Sequence, residues 1–201
     1  MNFDFTEEQQ MFADSVRRFA CSELADGALE RAHIAGNSWD VAKKIAQAGL
    51  LGITLKSEDG GLGGSLMDAV IAIQETALVC PKNADIVQAG NFGPIRTFAE
   101  YATPAQKAKW LPKLLRGEML ISLGMTEPDA GSATTELRTS ARLEDGHYIV
   151  NGSKVFGTHS PEAGIYLVYV RFGPGLDGIG SLFIERDTSG FRIGQPSPFM
   201  S

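Results

Sequence analysis

The stretch Leu120-Ile-Ser-Leu-Gly-Met-Thr-Glu-Pro-Asp-Ala-Gly-Ser132 decides how the rest of the chain is read. It starts as an apolar strand and breaks at Pro128, which lacks an N–H and fixes its own φ, so a ladder cannot run through it. Asp129, Ala130, Gly131 and Ser132 follow as a turn, with Gly131 free to take positive φ. The strand end, the Glu-Pro turn and the serine present hydroxyls and backbone N–H groups in one concavity. Successive N–H groups form a nest suited to a planar ligand rich in acceptors. Spacing alone also allows an ordinary exit from strand to loop.

Upstream of this stretch the pattern is helical. Thr6 to Gln9 reads as a capping box, and Phe12, Val16, Phe19, Ala20 and Leu24 form an apolar stripe on a helix running to about Glu30. Ser38 caps a second helix, with Trp39, Ala42, Ile45 and Ala46 on one face and Gly49 at its end. Ser57 to Ser65 holds Gly60, Gly61, Gly63 and Gly64, which excludes helix interior. The run lacks the Gly-Lys-Ser/Thr ending of a phosphate loop and follows no strand, so it reads as a tight connection. Ser65 and Asp68 open a third helix, with Val70, Ile73 and Ala77 on one side, stopped by Pro81. Asn83 starts a fourth, with a break expected near Asn91 to Pro94. Thr103-Pro104-Ala105-Gln106 opens a fifth, interrupted by Pro112 and closed by Gly117. Residues 1–118 thus read as an all-helical domain.

Downstream the period changes to alternation. Leu120 to Thr126 and Leu137 to Leu143 read as strands. Asp145-Gly146 is a hairpin signal, and His147 to Phe156 is the return, with a second turn at Asn151-Gly152. Ile165 to Phe172 is rich in β-branched and aromatic residues, Ser181 to Glu185 is another strand, and Phe191 to Ile193 begins one more. Short strands with turns between them predict a small antiparallel sandwich or barrel over residues 119–201, so the fold class is α+β.

Net charge is −6 with no Lys or Arg run, which argues against nucleic acid as a partner. No apolar run is long enough for a membrane span, and the acidic N-terminus lacks the basic and apolar regions of a leader, so a cytoplasmic protein is expected. Cys21 and Cys80 form no disulfide framework and read as buried thiols. His33, His147 and His159 are scattered without ligand spacing to Cys or carboxylates, and no metal site is expected. No Gly-x-Ser-x-Gly elbow supports a nucleophile. Glu127 and Asp129 flank Pro128 and read as shaping the turn rather than as a catalytic pair.

Thr126 to Ser132 resembles the Thr-Glu-Pro-x-Ala-Gly-Ser signature of the acyl-CoA dehydrogenase family. Gly152-Ser153-Lys154-Val155-Phe156-Gly157-Thr158 resembles the family's Gly-x-Lys-x-Trp-Ile-Thr/Ser, and Ser57 to Gly64 its Pro-Glu-x-x-Gly-Gly-x-Gly segment, with Ser57 where Pro is usual. The resemblance spans nearly the whole chain. It implies an FAD-dependent oxidoreductase that removes a proton from Cα and a hydride from Cβ of an acyl-CoA. By the same resemblance Leu123, Met125 and Thr126 would line the isoalloxazine, and Thr126 would bond its pyrimidine edge. Ser132 would contact both the cofactor and the CoA part of the substrate. Phe156 would pack on the ring, beside Gly157, and Thr158 would bond the flavin N5 edge.

The departures are Phe156 for Trp, Gly157 for Ile, and Ala133 where Asp is common. Gly157 is expected to loosen the segment beside the flavin. Family members run to about twice this length, beyond one usual domain. They carry the catalytic Glu in a C-terminal helical bundle, so no residue here is named as the base. The β domain is expected to be incomplete and the chain inactive alone. The resemblance also implies an electron-accepting flavoprotein as partner, and a homo-oligomer or a pairing with a chain that supplies the bundle. Two other readings stay open: a non-catalytic binding or partner subunit, and a flavin monooxygenase or oxidase on the same scaffold.

Overall fold

Thr6, Ser65 and Thr103 each accept a hydrogen bond from the backbone N–H three residues on, and the side chain at that third position returns the bond. These are complete capping boxes, and they start α1 (Glu7–Glu23), α4 (Leu66–Ala77) and α7 (Pro104–Leu115). The computed structural model describes residues 4–196. Its remaining helices are α2 (Ala28–Ala32), α3 (Trp39–Gln47), α5 (Pro81–Ala89) and α6 (Pro94–Tyr101).

Two expected helices are each divided in two. The first stops at Glu23, and Gly27, with φ +67, starts α2 instead of letting one helix run to Glu30. The segment from Asn83 breaks between Gly90 and Gly93, where expected, and Pro94 takes the first position of α6. Pro81 likewise opens α5 as well as ending what precedes it. Pro112 sits inside α7 without ending it.

The described residues form two compact units, one up to Leu120 and one from Ile121 to Pro196. The helical unit packs Val16 and Ala20 of α1, Leu24 just after it, and Ala42 and Ile45 of α3 with Ala69 and Ala72 of α4 and Ile86 and Val87 of α5. Val70 is 46% exposed, and the buried positions of α4 are Ala69, Ile71, Ala72, Glu75 and Thr76. Small residues let α1 and α5 approach closely, and Arg17 Nε meets the buried Glu75 carboxylate at 2.7 Å. Cys21 is exposed, contrary to expectation; Cys80 is buried, its thiol 2.8 Å from Asn83 Oδ1.

The glycine run is a packing device. A Cβ on Gly61 would collide with the Leu55 carbonyl, and Gly60 and Gly63 hold left-handed backbone. Beside it, Asn91 pins the connection after α3. Its Oδ1 accepts from Ile53 N at 2.6 Å, and its Nδ2 donates to Leu50 O and Val87 O, both at 2.8 Å.

In the second unit, β1 (Leu120–Gly124), β2 (Ser140–Glu144), β3 (His147–Asn151), β4 (Ala163–Arg171) and β5 (Ile179–Glu185) make one sheet, ordered β1-β4-β2-β3 with β5 on β4. Asp145 and Gly146, at φ +48 and +80, turn the β2–β3 hairpin as expected. The antiparallel sandwich or barrel is corrected to an open mixed sheet, because β2 lies parallel to β4 through Ser140 and Arg171. The long return after β3 brings the chain back in the direction of β2. That return ends its ladder at Asn151 rather than running to Phe156. Phe191 and Ile193 form no strand among the described residues; they cover the sheet core of Ala141, Ala163, Tyr166, Val168 and Val170.

Asn91→Ala removes three side-chain bonds at a fully buried site and is expected to cost about 2–4 kcal/mol, read as a lowered urea midpoint by circular dichroism.

Candidate functional site

Glu127 is buried, 7% exposed, and receives four donors. Its Oε2 accepts from Arg138 N at 2.7 Å. Its Oε1 accepts from Thr139 N at 2.9 Å, Thr139 Oγ1 at 2.5 Å and Lys154 Nζ at 2.7 Å. Lys154 Nζ also donates to Met125 O at 3.1 Å. Burial pushes the Glu127 carboxyl up, but the bonds from Lys154, Thr139 and the Arg138 and Thr139 amides outweigh it and hold the group down at about 2. A buried carboxylate keeps its charge only when so satisfied.

This tie joins the two sequence motifs. Val155 N donates to Thr126 O at 2.9 Å, so Met125, Thr126 and Glu127 run beside Lys154 and Val155. Leu123 and Gly157 are also close, since a Cβ on Gly157 would lie 3.6 Å from Leu123 O. Leu123, Met125, Thr126 and Gly157 are half-buried, and Thr158 is exposed. Phe156 is 78% exposed and sits at φ +57, an unusual backbone for a bulky residue. Phe156 and Thr158 thus lie exposed on a segment that runs beside the half-buried Leu123, Met125 and Thr126. Ser132 lies on the exposed loop beyond the turn.

Two details of the opening stretch differ from expectation. The N–H groups of Glu127 and Ala130 are spent on each other's carbonyls at 3.0 and 3.2 Å, so the turn closes on itself rather than offering an open nest there. Gly131 does not use its left-handed freedom. Asp129 stays at the surface, 3.8 Å from Arg138, apart from the Glu127 cluster. Sequence reasoning gave Glu127 a turn-shaping role and assigned none to Lys154 or Thr139. The available signal was an acidic residue and a lysine each placed inside an otherwise apolar or small-residue motif. Gly152 has the same origin, because a Cβ there would collide with Thr139 Oγ1.

His33 and His147 are exposed, and His159 is half-buried at φ +59 in the turn after Thr158. Among the described residues no group of His, Cys, Asp and Glu could hold a metal ion, and no helix is long and apolar enough to cross a membrane. A concavity of about 640 Å³ lies elsewhere in the β unit, under Arg142, Tyr148, Arg171 and Phe172, and includes none of the expected site residues.

The description "Acyl-CoA dehydrogenase, N-terminal domain" matches residues 6–118, and "Acyl-CoA dehydrogenase, middle domain" matches residues 122–201. The chain belongs to the acyl-CoA dehydrogenase family. A short-chain specific acyl-CoA dehydrogenase of Clostridium acetobutylicum is 34% identical over 197 residues, covering 97% of this chain and 52% of that protein. The butyryl-CoA dehydrogenase structure from Megasphaera elsdenii overlays with a TM-score of 0.85 at 29% identity, over 98% of this chain and 53% of that one. An FAD complex of PigA overlays with a TM-score of 0.89 at 26% identity, over 99% and 53%. The chain spans about half the length of the relatives it matches.

Lys154→Met leaves the Glu127 charge without its cation and is expected to destabilise the β unit by about 3 kcal/mol in a denaturant titration. The Glu127 carboxyl is depressed from an ordinary 4.5 to about 2. Its stabilisation is therefore complete above about pH 4.5 and is lost as pH falls towards about 2. Acid titrations of the wild type and Glu127→Gln should differ in that window, with the variant flatter.

Proposed function

We propose that this chain supplies the helical and β domains, taken as residues 1–118 and 119–201, of an FAD-dependent acyl-CoA dehydrogenase acting on a thioester's α,β bond. The observation that carries the reading is the Glu127–Lys154 tie, which holds the Met125–Glu127 and Lys154–Val155 segments side by side, with Phe156 exposed just beyond. The residues present fit a planar ring with a polar edge. Phe156 offers an unpartnered aromatic face, Leu123 and Met125 offer half-buried apolar flanks, and two threonines offer hydroxyls. The family membership and the FAD-bound neighbour support the same reading.

In this reading Thr126 holds the pyrimidine edge of the isoalloxazine and Thr158 the N5 edge. Hydroxyls fixed there need no reorganisation as charge develops. Phe156 packs against the ring and keeps water from it, with Gly157 leaving room beside it. Ser132 reaches the cofactor and the CoA portion of the substrate. FAD, when bound, supplies the acceptor for the hydride leaving Cβ. The Cα proton goes to a base that is none of the residues named here. The partners are the acyl-CoA, an electron-accepting flavoprotein, and further copies of the chain or a chain carrying a helical bundle. The cytoplasm is the compartment of this reading.

Purified chain mixed with FAD and freed of unbound cofactor is expected to keep the visible flavin bands. Thr126→Val and Thr158→Val are each expected to weaken retention about tenfold, the value of one hydroxyl bond to the ring. With the rest of the assembly present, an acyl-CoA should bleach the bands. Chain that retains no flavin, or valine variants that retain it as well as the wild type, would count against the reading. A colourless chain that pairs with another polypeptide would favour a binding subunit, and rapid direct reoxidation by oxygen an oxidase or monooxygenase.

A further inference from the structure

Gly157 stands at the centre of the segment between the two exposed residues Phe156 and Thr158, where the absence of a side chain was expected to loosen the chain. The gap is filled. Ser160 Oγ occupies the space a Gly157 Cβ would need, and an added Cβ would collide with it. The Gly157 backbone lies outside the left-handed region, so the Ser160 hydroxyl, not φ, is what demands glycine here.

That hydroxyl belongs to a short chain of bonds. Ser122 on β1 is buried, 1% exposed, and its Oγ donates to Thr158 O at 2.7 Å. The same Oγ lies 3.0 Å from Ser160 Oγ. A serine hydroxyl carries one hydrogen, and Ser122 spends its own on Thr158, so Ser160 is the donor of the second bond. The turn is also held from its other end. Tyr166 Oη donates to Ser160 O at 2.7 Å, and Arg186 Nη1 reaches Tyr166 Oη at 3.3 Å and Pro161 O at 2.6 Å.

We infer that Ser160, Ser122 and Gly157 form one positioning device, in which Ser160 fills the place of a side chain at 157 and Ser122 fixes the Thr158 carbonyl. The inference rests on the flavin-facing reading of Thr158. Ser122 and Ser160 act through Thr158 and are positioning residues, not catalytic ones. The device is neutral and half-buried, with Ser122 fully buried, so it fixes the turn without adding a charge near the ring.

Two measurements on the full chain test it. The first is flavin retention and the visible spectrum of Ser122→Ala and Ser160→Ala, with Ser181→Ala, an exposed serine on β5, as control. Each of the first two is expected to weaken retention about tenfold and to shift the flavin band, while the control changes neither. The second is a stability cycle. Gly157→Ala should lower the denaturation midpoint in the wild type and leave it nearly unchanged in Ser160→Ala, where the nearest atom to the new methyl is Ser160 Cβ at 3.5 Å. A wild type that retains flavin, with Ser122→Ala and Ser160→Ala retaining it equally, overturns this inference and leaves the functional reading standing. An additive cycle overturns it too, since the hydroxyl then fills no gap. A wild type that retains no flavin overturns the functional reading and this inference with it.

Discussion

A buried carboxylate must be given donors or it gives up its charge, and the β unit is arranged around meeting that demand at Glu127. Three of the four donors come from the consecutive residues Arg138 and Thr139, two backbone N–H groups and one hydroxyl, and the fourth is the ammonium of Lys154. Three separate segments are thereby fixed to one point. Removing any of them leaves the others facing an unsatisfied charge, so the arrangement is close to all-or-none. Lys154 extends it by reaching Met125 O, which sets the strand end before Thr126 against the second motif.

Several residue choices become intelligible from that point. Thr139 must sit against the segment after β3, and only glycine at 152 leaves it room. β1 ends at Gly124, and Glu127 turns inward to its donors instead of continuing a ladder. Val155 can then bond Thr126 O, and the chain emerges at Phe156 in a backbone that a bulky residue seldom takes. A strained, exposed aromatic is costly unless something covers it, and the surrounding bonds over-determine its place.

What was legible in the sequence divides by distance along the chain. Capping boxes at Thr6, Ser65 and Thr103 are contacts over three residues, and each formed as read. The Asp145-Gly146 hairpin is equally local and also formed. The parallel contact of β2 with β4 joins Ser140 to Arg171, and no turn residue announces it, so an antiparallel sandwich was the natural and mistaken expectation. On α4 the alanines bury well while showing little hydrophobic contrast, and Val70, the louder signal, is exposed. In the candidate site the motifs drew notice to Thr126 and Thr158. The partners that hold them were invisible, because Glu127 meets Thr139 and Lys154 across 12 and 27 residues. Gly157 was legible as a departure but not as half of a pair, since its complement, Ser160, lies beyond the motif.

The two threonines are held by different physics. Thr126 precedes a charged tie, which depends on the ionisation of Glu127 and on exclusion of water from Lys154. Thr158 is held by a neutral hydroxyl bond from Ser122, itself bonded to Ser160, and neither serine carries a net charge at any ordinary pH. A ring seated between them would meet one anchor made strong by charge and another made stiff by packing. The charged anchor lies where the chain must bind three distant segments together, a task for which a single hydroxyl has too few bonds to offer. The neutral anchor lies in a tight turn, where a pair of hydroxyls meets the few bonds the backbone offers. Each device suits the backbone it has to hold, and the difference follows from how many segments meet at each end rather than from any property of the ring itself.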